Sequence, residues 1–161
     1  MEAHILFPVK YSEWVANLIL MRKNNGDIRL CVDFCALNKE SYKDNFSLPN
    51  MELILQQVAG SQIMYLLDGF SSYNQIKVKN LDSSKTTFTT RWGTFAYELM
   101  PFGLINAGAT FQHAMHIDFD DLIGVIIQVY LDDLNVHSRL RKDHFHIYVK
   151  YFFIVGNMGC V

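Results

Sequence analysis

Gly124-Val125-Ile126-Ile127-Gln128-Val129-Tyr130-Leu131-Asp132-Asp133-Leu134-Asn135-Val136-His137-Ser138 is the stretch whose reading decides the fold. Val125–Leu131 is a nearly continuous apolar run of strand length, which marks a buried strand. Leu134–Ser138 reads as a strand returning antiparallel to it. Between them stand two adjacent carboxylates, Asp132 and Asp133. A tight turn there pushes both acids out of the core while the strands hold the backbone rigid. Two like charges side by side are costly to bury unless a cation compensates them. Ligands that are all oxygen favour magnesium or manganese. Adjacent aspartates are also common in solvated turns, and Asp120-Asp121 reads as one of those.

Upstream, Gln62–Leu67 is a second short apolar strand, and it runs straight into Asp68. Gly69, Ser71, Ser72 and Tyr73 follow it, in place of core residues. Two strands of one sheet, each ending in carboxylate, bring three acids around one point. Such a cluster is the ligand set for two metal ions about 4 Å apart, a device that serves displacement at phosphorus. The plainer alternative has Asp68 capping the next turn and the pair facing solvent. Spacing alone leaves both open.

The rest of the chain alternates strands and helices. Val15–Lys23 and Ile28–Phe34 flank Asn24-Asn25-Gly26-Asp27, a strong hairpin-turn signal, so a hairpin with a basic tip is expected. Polar residues from there to Pro49 predict an irregular crossing. Asn50 is a good N-cap, Met51, Ile54, Leu55 and Val58 share one helical face, and Gly60 is a natural stop. Thr86–Arg91 and Thr94–Met100, joined by Trp92-Gly93, read as a second hairpin. Phe111, Met115, Phe119 and Leu122 mark an amphipathic helix ending near Gly124. Asp143–Val155 has helical character but is apolar on most sides. Antiparallel strands with interleaved helices make an α+β arrangement.

Composition sets bounds around this. The chain has 161 residues, half of them apolar and 19% charged, which excludes a disordered or collagen-like chain and fits one domain. Neither of its longest apolar stretches reaches the run of about 20 residues that spans a bilayer, and Met1-Glu2-Ala3-His4 opens no secretory signal. A soluble intracellular protein without a membrane partner is expected. Fourteen basic and sixteen acidic side chains give a net charge of −2, so nucleic-acid binding must rest on local patches. Three cysteines argue against a disulfide framework and fit a reducing compartment. Cys31 and Cys35 lack a second close pair for zinc. His113 and His116, three residues apart on the helix, lack a third ligand, and His144 and His146 with Cys160 are no better.

Four segments together resemble a family. Leu67-Asp68-Gly69-Phe70-Ser71-Ser72-Tyr73-Asn74-Gln75-Ile76, Met100-Pro101-Phe102-Gly103-Leu104-Ile105-Asn106-Ala107-Gly108-Ala109-Thr110-Phe111-Gln112 and Tyr130-Leu131-Asp132-Asp133 are similar to successive motifs of a reverse transcriptase. Val32-Asp33-Phe34-Cys35-Ala36-Leu37-Asn38 resembles the fingers motif upstream of them. Order and spacing match from about Tyr11 to His144. The resemblance is to the gypsy class of LTR retrotransposon polymerases, plant elements in particular.

That resemblance implies an α+β polymerase palm of antiparallel strands backed by helices, with partial β-rich fingers and no thumb. Residues 1–60 would be partial fingers and 61–161 mainly palm, in a single domain fragment. Asp68, Asp132 and Asp133 would be the catalytic carboxylates, holding two Mg2+ or Mn2+ ions. They would orient a primer 3′-hydroxyl for attack on the α-phosphate of a dNTP, over an RNA or DNA template. Tyr73 matches the steric gate that crowds a ribose 2′-hydroxyl. Arg29 matches the arginine that holds triphosphate, and Lys23 its partner lysine. Phe102 and Gly103 would line the nucleotide pocket, with Gln75 and Gln112 as template-side contacts. Thumb and RNase H would belong to polyprotein domains outside this chain.

Departures from the family pattern keep other readings in view. Cys35 stands where the family usually has arginine, Asn135 puts a polar amide into a sheet, and the likeness fades after His144. A catalytically inactive relic of a retrotransposon polyprotein, or a nucleic-acid-binding remnant, would carry the same motifs. A palm-like sheet serving another metal-dependent phosphoryl transfer is a third reading, against which Tyr73 speaks.

Overall fold

The structure is a computed structural model that describes residues 4–68, 72–131, 133–140 and 142, with Leu67, Asp68 and Ser72 described through their backbone. The expected tail helix lies outside the described residues, as does Asp132. The described chain forms two compact units, interleaved along the sequence. The first takes residues 1–44 and 73–107, the second residues 45–72 and 108–161.

In the first unit, β1 (Leu6–Pro8), β5 (Phe88–Thr90) and β6 (Gly93–Tyr97) make an antiparallel sheet in the order β1-β6-β5. The expected hairpin around Trp92-Gly93 forms, though its strands are shorter than the apolar pattern suggests. Phe88 and Ala96 are buried from this sheet, and Phe34 and Met100 join the unit's core. A separate hairpin pairs β2 (Leu18–Arg22) with β3 (Ile28–Val32). Its turn is local chemistry: Gly26 takes φ +92°, and the Asn25 side chain bonds both the backbone and the carboxylate of Asp27.

The segment expected to be an irregular crossing instead contains α1 (Cys35–Glu40). This short helix buries none of its own residues, so no apolar periodicity announces it. It is pinned from outside. The Asn38 side chain donates to the Gly103 carbonyl at 2.7 Å and accepts from the Ile105 amide at 2.8 Å. Asn106 answers from the other side, accepting from the Asp44 amide and donating to the Tyr42 carbonyl. Those bonds tie residues 38–44 to residues 103–106 within the first unit. A one-turn helix, α3 (Asn80–Ser83), completes the unit.

The second unit carries the decisive stretch. Its sheet runs β4-β8-β7, all antiparallel, with β4 (Ile63–Asp68), β7 (Ile127–Tyr130) and β8 (Asp133–Ser138). β7 and β8 form the anticipated return, closed by a two-residue loop. Val125 is exposed, so the buried strand begins only at Ile127. α2 (Met51–Val58) starts where Asn50 predicts it, the cap side chain accepting from the Glu52 amide at 2.8 Å. Ile54 and Val58 are buried, whereas Met51 and Leu55 are exposed.

α4 (Ala107–Asp118) is the expected amphipathic helix shifted toward the N-terminus. Phe111, Met115, Phe119 and Leu122 are all buried, but the last two lie in the turns beyond the helix. Each such side chain contributes on the order of 2–3 kcal/mol by leaving water. They pack with Ile127, Val129, Leu134 and Val136 as the core of this unit. Antiparallel sheets and helices thus make the α+β fold the sequence implies.

Candidate active site

Register brings the first and last acidic motifs together. Along β4 and β8 the pairing runs Leu66↔Asn135, Leu67↔Leu134 and Asp68↔Asp133. Residue 68 is therefore the direct cross-strand neighbour of residue 133, at a Cα separation of about 5 Å for such pairs. β7 pairs with β8 through Tyr130↔Asp133, so one rung of the sheet reads Asp68, Asp133, Tyr130. Asp133 is solvent-exposed, and Tyr130 and Leu131 are half-buried. Like charges opposite one another destabilise a strand pair, so this rung gains from a cation.

The loop between Tyr130 and Asp133 has a specific backbone. Leu131 takes φ +53°, and among the described residues no other non-glycine has positive φ. Two-residue hairpin loops of the primed types require positive φ at their first position, usually supplied by glycine or asparagine. A leucine there costs about 1–3 kcal/mol, met by surrounding structure.

Gln112 is expected on the template side, but it is fully buried. Its Nε2 donates to the Val129 carbonyl at 3.1 Å, and its Oε1 accepts from the Leu131 amide at 2.8 Å. An amide with no exposed surface and both ends spent on backbone has no face for a nucleic acid. Sequence reasoning missed this role because Gln112 follows Phe111 on an apolar helix face, where a glutamine gives no periodic signal.

The other expected residues lie in the first unit. Tyr73 is buried, its ring meeting Phe102 edge-on at 4.7 Å between centroids. Phe102 is more than half exposed. Gly103 has φ +99°, and a Cβ there would meet the Phe34 ring at 3.5 Å and the Val32 carbonyl at 3.8 Å. The positive φ favours glycine there, whereas the contacts of a Cβ would be ordinary ones. Gln75 is exposed on the short 3-10 turn Ser72–Gln75.

Arg29 sits on β3 opposite Met21, and Lys23 lies two residues beyond Met21. Side chains alternate along a strand, so Lys23 and Arg29 belong to the same face of the hairpin. Both are exposed, and neither makes an ion pair among the described residues. Cys35 is exposed, its backbone amide donating to Asp33 at 3.0 Å. A side-chain hydrogen bond between them lowers the Asp33 pKa and raises that of the Cys35 thiol, which stays a neutral group.

His113 and His116 are accounted for by packing, whereas His144, His146 and Cys160 lie outside the described residues. His113 stacks on Phe46 at 4.8 Å, and His116 meets the same ring edge-on at 5.7 Å. Among the described residues no three His, Cys, Asp or Glu side chains are grouped to hold a metal ion. Asp132 lies outside that set. No described helix is long and apolar enough to cross a membrane.

Comparison with known proteins follows the same residues. The family model for reverse transcriptase (RNA-dependent DNA polymerase) matches residues 21–159. An RNA-directed DNA polymerase homolog of Oenothera berteroana is 34% identical over 128 residues, which is 80% of this chain and 89% of that protein. The retrovirus-related Pol polyprotein from transposon gypsy of Drosophila melanogaster is 34% identical over 120 residues, 74% of this chain but only 12% of the polyprotein. Among solved structures, the foamy viral protease-reverse transcriptase in complex with RNA/DNA hybrid matches with a TM-score of 0.83 at 20% identity. That match covers 94% of this chain and 20% of the viral one.

Proposed function

The chain belongs to the reverse transcriptase family, and we propose that it carries the nucleotidyl-transfer site of an RNA-directed DNA polymerase. One observation carries the reading: the strand register sets Asp68 directly opposite Asp133, beside the hairpin loop that contains Asp132. An acid placed opposite an acid, next to a third, fits divalent cations, and the donor set is all oxygen. Asp68, Asp132 and Asp133 are the residues that would hold Mg2+ or Mn2+. Bound there, two such ions supply activation of an attacking oxygen and stabilisation of a leaving oxygen at phosphorus.

The chain's own groups do the selecting. Tyr73, backed by Phe102, is the proposed gate: a rigid buried ring crowds a ribose 2′-hydroxyl and admits the deoxy sugar. Arg29 and Lys23, without an ion-pair partner among the described residues, offer two cations on one hairpin face for a triphosphate. Phe102 and Gly103 line the nucleotide pocket, and Gln75, exposed, is the template-side contact. Residues 1–60 as partial fingers and 61–161 as mainly palm belong to the same proposal. So do a gypsy-class, plant-type origin, which the transposon and Oenothera relatives support, and a thumb and RNase H in further polyprotein domains. A template-primer partner is supported by the foamy viral enzyme, which binds an RNA/DNA hybrid.

A second reading, an inactive relic or nucleic-acid-binding remnant, is favoured by one observation. Gln128 Nε2, Asn135 Oδ1 and His137 Nε2 are buried in the sheet that carries the acids and have no hydrogen-bond partner among the described residues. Such groups each cost about 1–3 kcal/mol, a burden a functioning palm has reason to avoid. Primer extension on an RNA template with dNTPs, in magnesium and in manganese, separates the two. We expect extension by the parent, none by Asp132→Asn with Asp133→Asn, and rNTP incorporation on Tyr73→Ala. A folded parent that extends nothing establishes the relic.

A further inference from the structure

Gln112 makes contacts that a packing role does not require. With Tyr130 and Asp133 paired across a two-residue loop, the Val129 carbonyl and the Leu131 amide point away from β8. β7 is the edge of its sheet among the described residues, and no further described strand meets them. Gln112 meets both, donating to one at 3.1 Å and accepting from the other at 2.8 Å. A residue on a parallel neighbouring strand bonds in this way, its N–H to the carbonyl before and its C=O to the amide after the residue opposite. One side-chain amide thus imitates a strand residue opposite Tyr130, and the backbone it grips is that of Leu131, at φ +53°. α4 supplies a fixed base, since Gln112 adjoins fully buried Phe111 and its Nε2 also lies 3.3 Å from His116 Nδ1.

We propose that Gln112 is a positioning residue: its amide clamps the backbone on both sides of Tyr130 and holds Leu131 in the left-handed conformation from which Asp132 and Asp133 follow. The inference rests on the reading of those acids as metal ligands. Without the clamp, Leu131 relaxes toward ordinary φ, and the approach to the strand that opens at Asp133 loses its fixed geometry.

The test uses the full chain, with Gln112→Met as a near-isosteric variant that cannot bond to backbone, alone and combined with Leu131→Gly. Glycine takes positive φ without strain, so it removes the need for the clamp. Mn2+ is the probe, titrated by its electron paramagnetic resonance signal, and amide hydrogen exchange is followed across residues 129–133. In the parent background, Gln112→Met is expected to speed exchange at Leu131 about tenfold or more and to weaken Mn2+ binding about tenfold. In the Leu131→Gly background the loss of Mn2+ affinity shrinks severalfold. Equal losses in both backgrounds overturn the proposal, since simple packing predicts additivity. Unchanged exchange at Leu131 overturns it as well. Should Gln112→Met fail to fold, Gln112→Leu, which likewise offers neither donor nor acceptor to the backbone, takes its place under the same criteria. A parent that binds no Mn2+ refutes the metal reading instead, and the exchange arm alone then decides the clamp.

Discussion

His137 is a histidine buried at 4% exposure, with Ser61 Oγ 3.2 Å from its Nδ1 and no partner for its Nε2 among the described residues. Burial, with Arg139 adding to it, lowers its pKa from the ordinary 6.5. The folded chain therefore resists a proton that the unfolded chain accepts. The sign follows: this contribution to stability is complete above pH 6.5 and is lost as pH falls through the depressed folded value. Urea unfolding near pH 7.5 and near pH 5.5, for the parent and for His137→Gln, measures it. The parent is expected to lose more stability on acidification than the variant, because only the parent carries the His137 imidazole. Equal losses contradict the assignment. Asn135 is the residue at this scale that the sequence did flag: an amide in a strand position, whose Oδ1 is buried and has no partner among the described residues.

Elements were legible where their causes are local. The β2–β3 hairpin follows from Asn25, Gly26 and Asp27, whose bonds all lie within the turn. α2 follows from the Asn50 cap. α1 was invisible because its stabilising bonds come from residues more than sixty positions away, through Asn38. The end of α4 was misplaced because Phe119 and Leu122 keep the apolar spacing after the backbone has left the helix. The β2–β3 hairpin also carries a functional prediction. Lys23→Ala and Arg29→Ala are each expected to raise KM for dNTP by up to about tenfold, with kcat and circular dichroism preserved. A fall in kcat at unchanged KM contradicts a role in holding triphosphate.

At the scale of the molecule, the chain passes between its two units at residues 44–45, 72–73 and 107–108. The motif from Asp68 to Tyr73 spans one of these passages, so the first acid belongs to the second unit and the proposed sugar gate to the first. The motif's order was readable in the sequence. Its division was not, because a passage between units has no compositional signature here. The pairing of Asp68 with Asp133 has the opposite cause: one ends β4, the other opens β8, and strand register sets them side by side, while Asp132 lies outside the described residues. The convergence of the three acids on one cation site is the central claim, and backbone cleavage by Fe2+ tests it most directly. Fe2+ with ascorbate and peroxide, taken up in place of Mg2+ by the full chain, is expected to cut near residue 68 and near residues 132–133. Both cuts should fade with excess Mg2+ and in Asp132→Asn. Cleavage at only one of the two places, or cleavage indifferent to Mg2+ and to that substitution, contradicts it.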